Sequence, residues 1–331
     1  MASNTFFAVR PTIHPLRKVN TSLTSVKSLC VYLPTLNFII VSGELFSPEQ
    51  TEFVLLLMFM NTGKQVRVIS AHADLITQIK FHESANLLFT GSLDNHLRLW
   101  NHQLKCLDDI ELDGPIWAIE IIPDQNNVVI GGEFDGLKVF ELTGSESKNK
   151  SVISQTKDVR TPNSRYCASI KYIKPHNCLA MGCREAEEVL VYDWSNKTIK
   201  YRLRREYCYE IVDYLEYFEH ADTLFCGGSN MDSLYWKFSQ TRGKAPQMCV
   251  FEEAMSNVSS VLMNKYDQTF YICQYNKFLN VMNIKNGNLK KRHFLFDKRG
   301  DTLVNIDKQD ILIVTESKNV KVHFFSLIKG T

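Results

Sequence analysis

Residues 70–101 read SAHADLITQIKFHESANLLFTGSLDNHLRLWN, and this stretch decides the fold. Ile76 to His82 alternates apolar and polar side chains, the period of a half-buried strand. Asn86 interrupts it, and Leu87 to Thr90 is a second apolar run. Gly91-Ser92-Leu93-Asp94-Asn95 predicts a turn, because Gly accepts positive φ and Asp or Asn bonds its own backbone. His96 to Trp100 predicts a third strand.

These residues resemble a WD40 repeat, the four-stranded blade of a β-propeller. That family carries a buried Asp–His–Ser/Thr–Trp network. His72 stands where its Gly-His dipeptide lies, with Ala71 in place of the Gly. Asp94 sits in the turn, Thr90 or Ser92 on the second strand, and Trp100 ends the third. Asn101 replaces the Asp that follows the family's Trp. The resemblance implies a structural relay through His72, Thr90, Ser92, Asp94 and Trp100, since a buried imidazole and a buried indole N–H both need partners. An acid–base pair of His72 and Asp94 is the competing reading, and the relay is the expectation.

Fainter copies fill the rest of the chain. Bulky residues recur at the end of each third strand: Met58, Trp100, Phe140, Tyr192, Trp236, Met282 and His323, with gaps of 42, 40, 52, 44, 46 and 41. WD40 blades run about 40–45 residues. The expectation is all-β: one seven-bladed propeller over residues 1–331. Its blades lie near 26–69, 70–112, 113–156, 166–204, 205–250, 257–294 and 302–326. The polar run Thr143 to Lys150 accounts for the longest gap and reads as a solvated loop. Little follows Phe325, so blade seven lacks a fourth strand. Thr5 to Val9, or a segment close to it, is expected to pair with Val320 to Phe325, because ring closure removes exposed strand edges.

Bulk composition narrows the function classes. The formal charge of +2 gives no nucleic-acid or membrane signal. Nine cysteines, an odd number with no Cys-x-x-Cys, read as reduced core residues of a cytoplasmic or nuclear protein. The first acidic residue is Glu44, and an acid-free, Ser/Thr-rich start suits an organellar transit segment. Pro11 and Pro15 disfavour the amphipathic helix that segment would need, so an N-terminal strand is preferred.

No Gly-rich phosphate loop, Gly-x-Ser-x-Gly elbow or His-Glu-x-x-His is present. Asp108-Asp109, Glu187-Glu188 and Glu252-Glu253 read as solvated charges. His72, His82, His96 and His102 match no zinc spacing, so no metal and no cofactor is expected. Two basic runs, Arg202, Arg204 and Arg205, and Lys290, Lys291 and Arg292, are candidates for an anionic ligand. Leu203-Arg204-Arg205-Glu206 only partly resembles the Phe-Arg-Arg-Gly signature of phosphoinositide-binding propellers, which argues against lipid. RNA would want aromatic stacking partners, and strand alternation already explains the tyrosines nearby. Trp117, Tyr166 and Tyr209 begin innermost strands, where large amphipathic rings serve as partner anchors or pack between blades.

The function expected is a non-catalytic scaffold that binds other proteins in a multi-subunit complex, with no small-molecule substrate. The alternative is a phosphoinositide- or RNA-binding propeller acting through the basic outer strands.

Overall fold

The computed structural model describes residues 12–23, 25–143, 152–156, 158–160, 166–184, 188–204, 212–228, 231–238, 244–253, 256–264, 268–274, 278–294, 299–306, 311–317 and 321–328. Among them the strands fall into antiparallel sheets of four, seven in all. Blade one is Ser25–Leu33, Phe38–Phe46, Thr51–Phe59 and Gln65–His72. Blade two is Ile76–His82, Leu87–Ser92, His96–Trp100 and Cys106–Glu111. Blade three is Ile116–Ile122, Asn127–Gly132, Lys138–Leu142 and the short Ile153–Gln155. Blade four is Cys167–Ile173, Cys178–Cys183, Val189–Asp193 and Thr198–Leu203. Blade five is Tyr214–Phe218, Thr223–Gly228, Met231–Lys237 and Gln247–Val250. Blade six is Val258–Asn264, Thr269–Gln274, Phe278–Asn283 and Leu289–Phe294. The last sheet joins Arg299–Ile306, Ile311–Ser317 and Lys321–Ile328 to Thr12–Asn20 from the start of the chain. The molecule is an all-β propeller.

Thr12–Asn20 pairs antiparallel with Lys321–Ile328, from Thr12 opposite Ile328 to Asn20 opposite Lys321. Residues 5–9, named from sequence as the closing segment, lie outside the described residues. The register shifts between Pro15 and Arg17. Proline cannot donate to a ladder and is tolerated at such irregularities.

The turns between first and second strands repeat one device. A residue with positive φ stands immediately before the second strand in blades one to six: Asn37, Asn86, Asn126, Asn177, Asp222 and Gln268, with φ between 46° and 57°. Asn and Asp tolerate this region because their short polar side chains bond locally. The backbone carbonyl of this residue accepts the N–H of Met60, Leu142, Trp194, Phe238 or Ile284 in five of those blades. Each turn is thereby tied to the end of its own third strand.

The hydrophobic core lies between blades. Ala118, Val129 and Val139 of blade three pack with Ile170, Met181 and Trp194 of blade four. Val191 and Leu203 of blade four pack with Leu215, Leu224 and Trp236 of blade five. A sheet with both faces apolar cannot bury them alone, so neighbours stack. Close approach needs glycine at the second strand. A Cβ on Gly182 would lie 2.2 Å from the Val212 carbonyl oxygen and 2.4 Å from Ser169 Oγ.

Candidate functional site

Blade two carries the network read from sequence, and its donors run one way. Trp100 Nε1–H donates to Thr90 Oγ1 at 2.9 Å. Thr90 Oγ1 lies 2.8 Å from His72 Nε2, and His72 Nδ1 lies 2.9 Å from Asp94 Oδ2. Every group is satisfied when Thr90 donates to Nε2 and Nδ1–H donates to the carboxylate. Asp94 also accepts the N–H groups of Ala73 and His96, at 2.9 and 3.0 Å. Ser92 Oγ accepts the Asp94 N–H and donates to the Asp74 carbonyl. His72, Thr90, Ser92 and Trp100 are all buried. Burial holds the His72 imidazole below its ordinary value, with Asp94 opposing. Burial pushes the Asp94 carboxyl up, but the bonds from His72, Ala73 and His96 outweigh it and hold the group well below the usual range. Both imidazole nitrogens are engaged within the blade.

The other histidines of that region point to separate partners. His96 meets Asp109 at 2.7 Å, His102 faces Asn86, and His82 Nδ1 accepts from Ser84 and Ala85. Among the described residues, no group of three His, Cys, Asp or Glu is placed to hold a metal ion.

Trp117 and Tyr166 come together at one mouth of the central channel. Their rings stack at 6.5 Å between centroids, with planes 25° apart. Glu133 Oε1 accepts both the Trp117 indole N–H, at 3.0 Å, and the Tyr166 hydroxyl. The Arg184 guanidinium sits 4.1 Å from the Tyr166 ring centre and 5.1 Å from that of Trp117, and donates to the Tyr166 hydroxyl. Tyr166 holds φ at 63°, a strained setting for an aromatic residue. A cavity of about 400 Å³ opens beside the cluster, lined by Trp117, Arg184, Asp213 and Tyr214 and by Lys80 and Glu216 deeper in. Tyr209 and Arg205 lie outside the described residues.

Sequence reading missed Glu133 and Arg184. A signal was there: each lies just past the end of a second strand, at the same end of its blade as Trp117 and Tyr166.

Below the mouth, four innermost strands alternate in charge at matched register. Lys80 opposes Phe89, Glu120 opposes Val129, Lys171 opposes Ala180 and Glu216 opposes Phe225. Lys80 lies 3.5 Å from Glu120, and Lys171 lies 3.8 Å from Glu120 and 2.7 Å from Glu216. Burial pulls the Lys171 ammonium down, but the two carboxylates outweigh it and raise it above its ordinary value.

The arginines of the basic runs, among the described residues, are committed to carboxylates. Arg202 and Arg204 both grip Glu188, whose side chain is fully buried. Arg292 bonds Glu253 at 2.7 Å and Asn280 at 2.8 Å. Lys290 and Lys291 are exposed on the outer strand of blade six. The paired carboxylates therefore need correction, since Glu188 is not solvated. Asp108 also reaches across to blade three, accepting the Val152 N–H at 2.7 Å and the Ile153 N–H at 3.3 Å. An unpaired backbone donor at a blade edge is costly, and a carboxylate from the neighbour satisfies it.

Residues 63–101 match the family model described as "WD domain, G-beta repeat". The Schizosaccharomyces pombe protein "Periodic tryptophan protein 2 homolog" is 24% identical over 121 residues, 36% of this chain. The match spans 14% of that relative's length. The β-propeller domain of Myceliophteria thermophila Cps50 (Swd1) superposes with a TM-score of 0.74 at 12% identity, over 96% of this chain and 100% of that one. At that identity the likeness is one of fold. This chain carries one WD40 repeat, at residues 63–101, within a β-propeller fold.

Proposed function

We propose that the chain is a non-catalytic scaffold, a subunit that holds other proteins in a larger assembly. The observation that carries this reading is the Trp117–Tyr166–Arg184–Glu133 cluster at the channel mouth. Trp, Tyr and Arg are the residue types in which interface energy concentrates. Here they are held in place by one another and open onto a cavity. His72 and Asp94 act as a fastener of blade two, a role supported by the engagement of both imidazole nitrogens.

The ring is taken as seven-bladed and closed by the N-terminal strand. The pairing of Thr12–Asn20 with Lys321–Ile328 supports this, as does the approach of Ser25–Leu33 to Arg299–Ile306. The anionic-ligand reading has less support, because Arg202, Arg204 and Arg292 already meet carboxylates. A cytoplasmic or nuclear setting fits free cysteines packed as small apolar side chains, such as Cys178, Cys226 and Cys273.

Tagged protein purified from its native cell, followed by mass spectrometry, tests the scaffold. A stoichiometric set of partner proteins is expected, reduced in Trp117→Ala. Recovery of the bare chain, or of nucleic acid alone, would overturn the reading.

A further inference from the structure

The two faces of the ring differ in charge. In an antiparallel blade, the turns between second and third strands share one face with the connections that enter the next blade. On that face stand the exposed carboxylates Glu49, Asp74, Glu133, Asp135, Asp213 and Glu252, from five different blades or their connections. The exposed arginines that reach it, among the described residues, are each beside a carboxylate: Arg160 by Asp135, Arg202 and Arg204 on Glu188, and Arg292 on Glu253. The opposite face holds the turns between first and second and between third and fourth strands. It bears the exposed carboxylates Glu83, Asp124 and Glu219 but more lysines: Lys64, Lys105, Lys197 and Lys285 repeat in the third-to-fourth turns of blades one, two, four and six, with Lys174 and Lys244 beside them. A chain of formal charge +2 is thus polarised, acidic on the first face and mixed with a lysine excess on the second.

The acidic face also carries the channel mouth. Glu133 spends one oxygen, Oε1, on Trp117 and Tyr166, which leaves Oε2 for an incoming donor. The half-buried Trp117 indole lies next to it, stacked on Tyr166 and with the Arg184 guanidinium already 5.1 Å from its centre, a ring that takes a cation.

We propose that this face docks a basic, extended segment of a protein partner, with an arginine of that segment bonded to Glu133 and laid against Trp117. The proposal rests on the scaffold reading and names the chemistry of one of its partners. Charge complementarity selects the occupant: like charge repels an acidic peptide or a nucleic acid, and the carboxylates steer a cationic chain toward the mouth.

The test uses the full chain and a fluorescent twelve-residue peptide in which six arginines alternate with glycine and serine. A peptide with six glutamates is its control, and anisotropy is read from low to high salt. Only the arginine peptide is expected to bind, and salt should weaken it steadily. Neutralising Glu133→Gln, Asp135→Asn and Glu252→Gln together should cost at least tenfold in affinity. Neutralising Lys64→Gln, Lys105→Gln and Lys285→Gln should cost nothing. Trp117→Ala keeps the charge and should still weaken binding several-fold. Glu133→Gln alone, which keeps an oxygen for the Trp117 and Tyr166 bonds, serves where Trp117→Ala does not fold. Binding of the glutamate peptide, or an unchanged affinity in the carboxylate-neutralised variant or in the folded mouth variant, overturns the proposal. If that triple carboxylate variant still recovers native partners, the docking idea fails and the scaffold survives. If the unaltered chain recovers none, the scaffold itself fails.

Discussion

His72 Nδ1 lies 2.9 Å from Asp94 Oδ2, and this pair is the inner end of a relay that begins at the Trp100 indole. Thr90→Val keeps the shape and removes the oxygen shared by His72 and Trp100. It is expected to lower stability by about 2–3 kcal/mol, because two buried groups lose their partner at once. Urea unfolding followed by tryptophan fluorescence checks this, and a change under 0.5 kcal/mol would show that the relay does not fasten the blade.

The same pair predicts how stability responds to acid. Burial depresses the His72 value in the folded chain, whereas the unfolded chain takes up that proton near pH 6.5. Its contribution is complete above about pH 6.5 and is lost as pH falls through the folded value. Asp94 is also depressed, burial being outweighed by its hydrogen bonds, so its contribution holds above about pH 4 and fades below. Both terms make the protein less stable in acid. The melting temperature is expected to fall between pH 7 and pH 5, and to fall less steeply in His72→Gln. His82 and His293 are likewise held low by burial and remain in both proteins, so the difference isolates His72. Parallel curves would refute the assignment.

The period of the ring was legible because bulky residues repeat in register. Met58, Trp100, Phe140, Tyr192, Trp236 and Met282 are all buried on third strands. They oppose Ile39, Leu88, Val128, Leu179, Leu224 and Phe270 on second strands. A second marker went unused: the polar residue before each second strand, Asn37 through Gln268, which the left-handed turn selects. What the chain order hides is contact between blades. Glu133 reaches Tyr166 across 33 residues and Asp108 reaches Val152 across 44, distances over which no local pattern speaks. Glu188 looked like a surface acid because its burial depends on two arginines supplied by another strand.

Glu188 gives a sharp test of that last point. Arg202→Ala with Arg204→Ala strands a buried carboxylate and is expected to cost about 3–5 kcal/mol. Adding Glu188→Gln should recover a large part of that loss, since no charge then remains inside. Midpoints of chemical denaturation for the three proteins give the answer. If the double arginine variant is as stable as the original, these arginines are free for a ligand after all.

Gly182 probes the packing of blade four on blade five. A methyl group there meets the Val212 carbonyl oxygen at 2.2 Å, and a backbone atom cannot swing aside as a flexible side chain does. Gly182→Ala is expected to destabilise by roughly 1–3 kcal/mol through overpacking. Gly182→Ala combined with Ser169→Ala removes the Ser169 Oγ clash but not the Val212 one, and it also strips the bond that Ser169 Oγ donates to the Val212 carbonyl, so little stability should return. A neutral Gly182→Ala would mean that the Val212 carbonyl stands farther from Gly182 in solution, with the two blades looser there.

Lys171 is the keystone of the charge belt inside the channel. It bridges Glu120 on blade three and Glu216 on blade five, and Glu120 also accepts the Tyr172 N–H at 3.0 Å. Lys171→Met leaves Glu120 and Glu216 on either side of blade four with the lysine between them gone. The expected cost is roughly 2–4 kcal/mol, at or below the usual range for a broken buried pair because the lysine is 18% exposed. The loss has a second signature. Glu216 loses its cation at 2.7 Å while Glu120 keeps Lys80 at 3.5 Å, so the unpaired carboxylate should resist ionisation and Lys171→Met should regain stability as pH falls from 7 toward 5, opposite in sign to the His72 effect. Replacing Glu120→Gln and Glu216→Gln in the same background should restore most of the stability and erase that pH dependence. If Lys171→Met melts like the unaltered chain at every pH, the channel is wet enough to screen these charges, and the belt contributes nothing to holding blades three, four and five together.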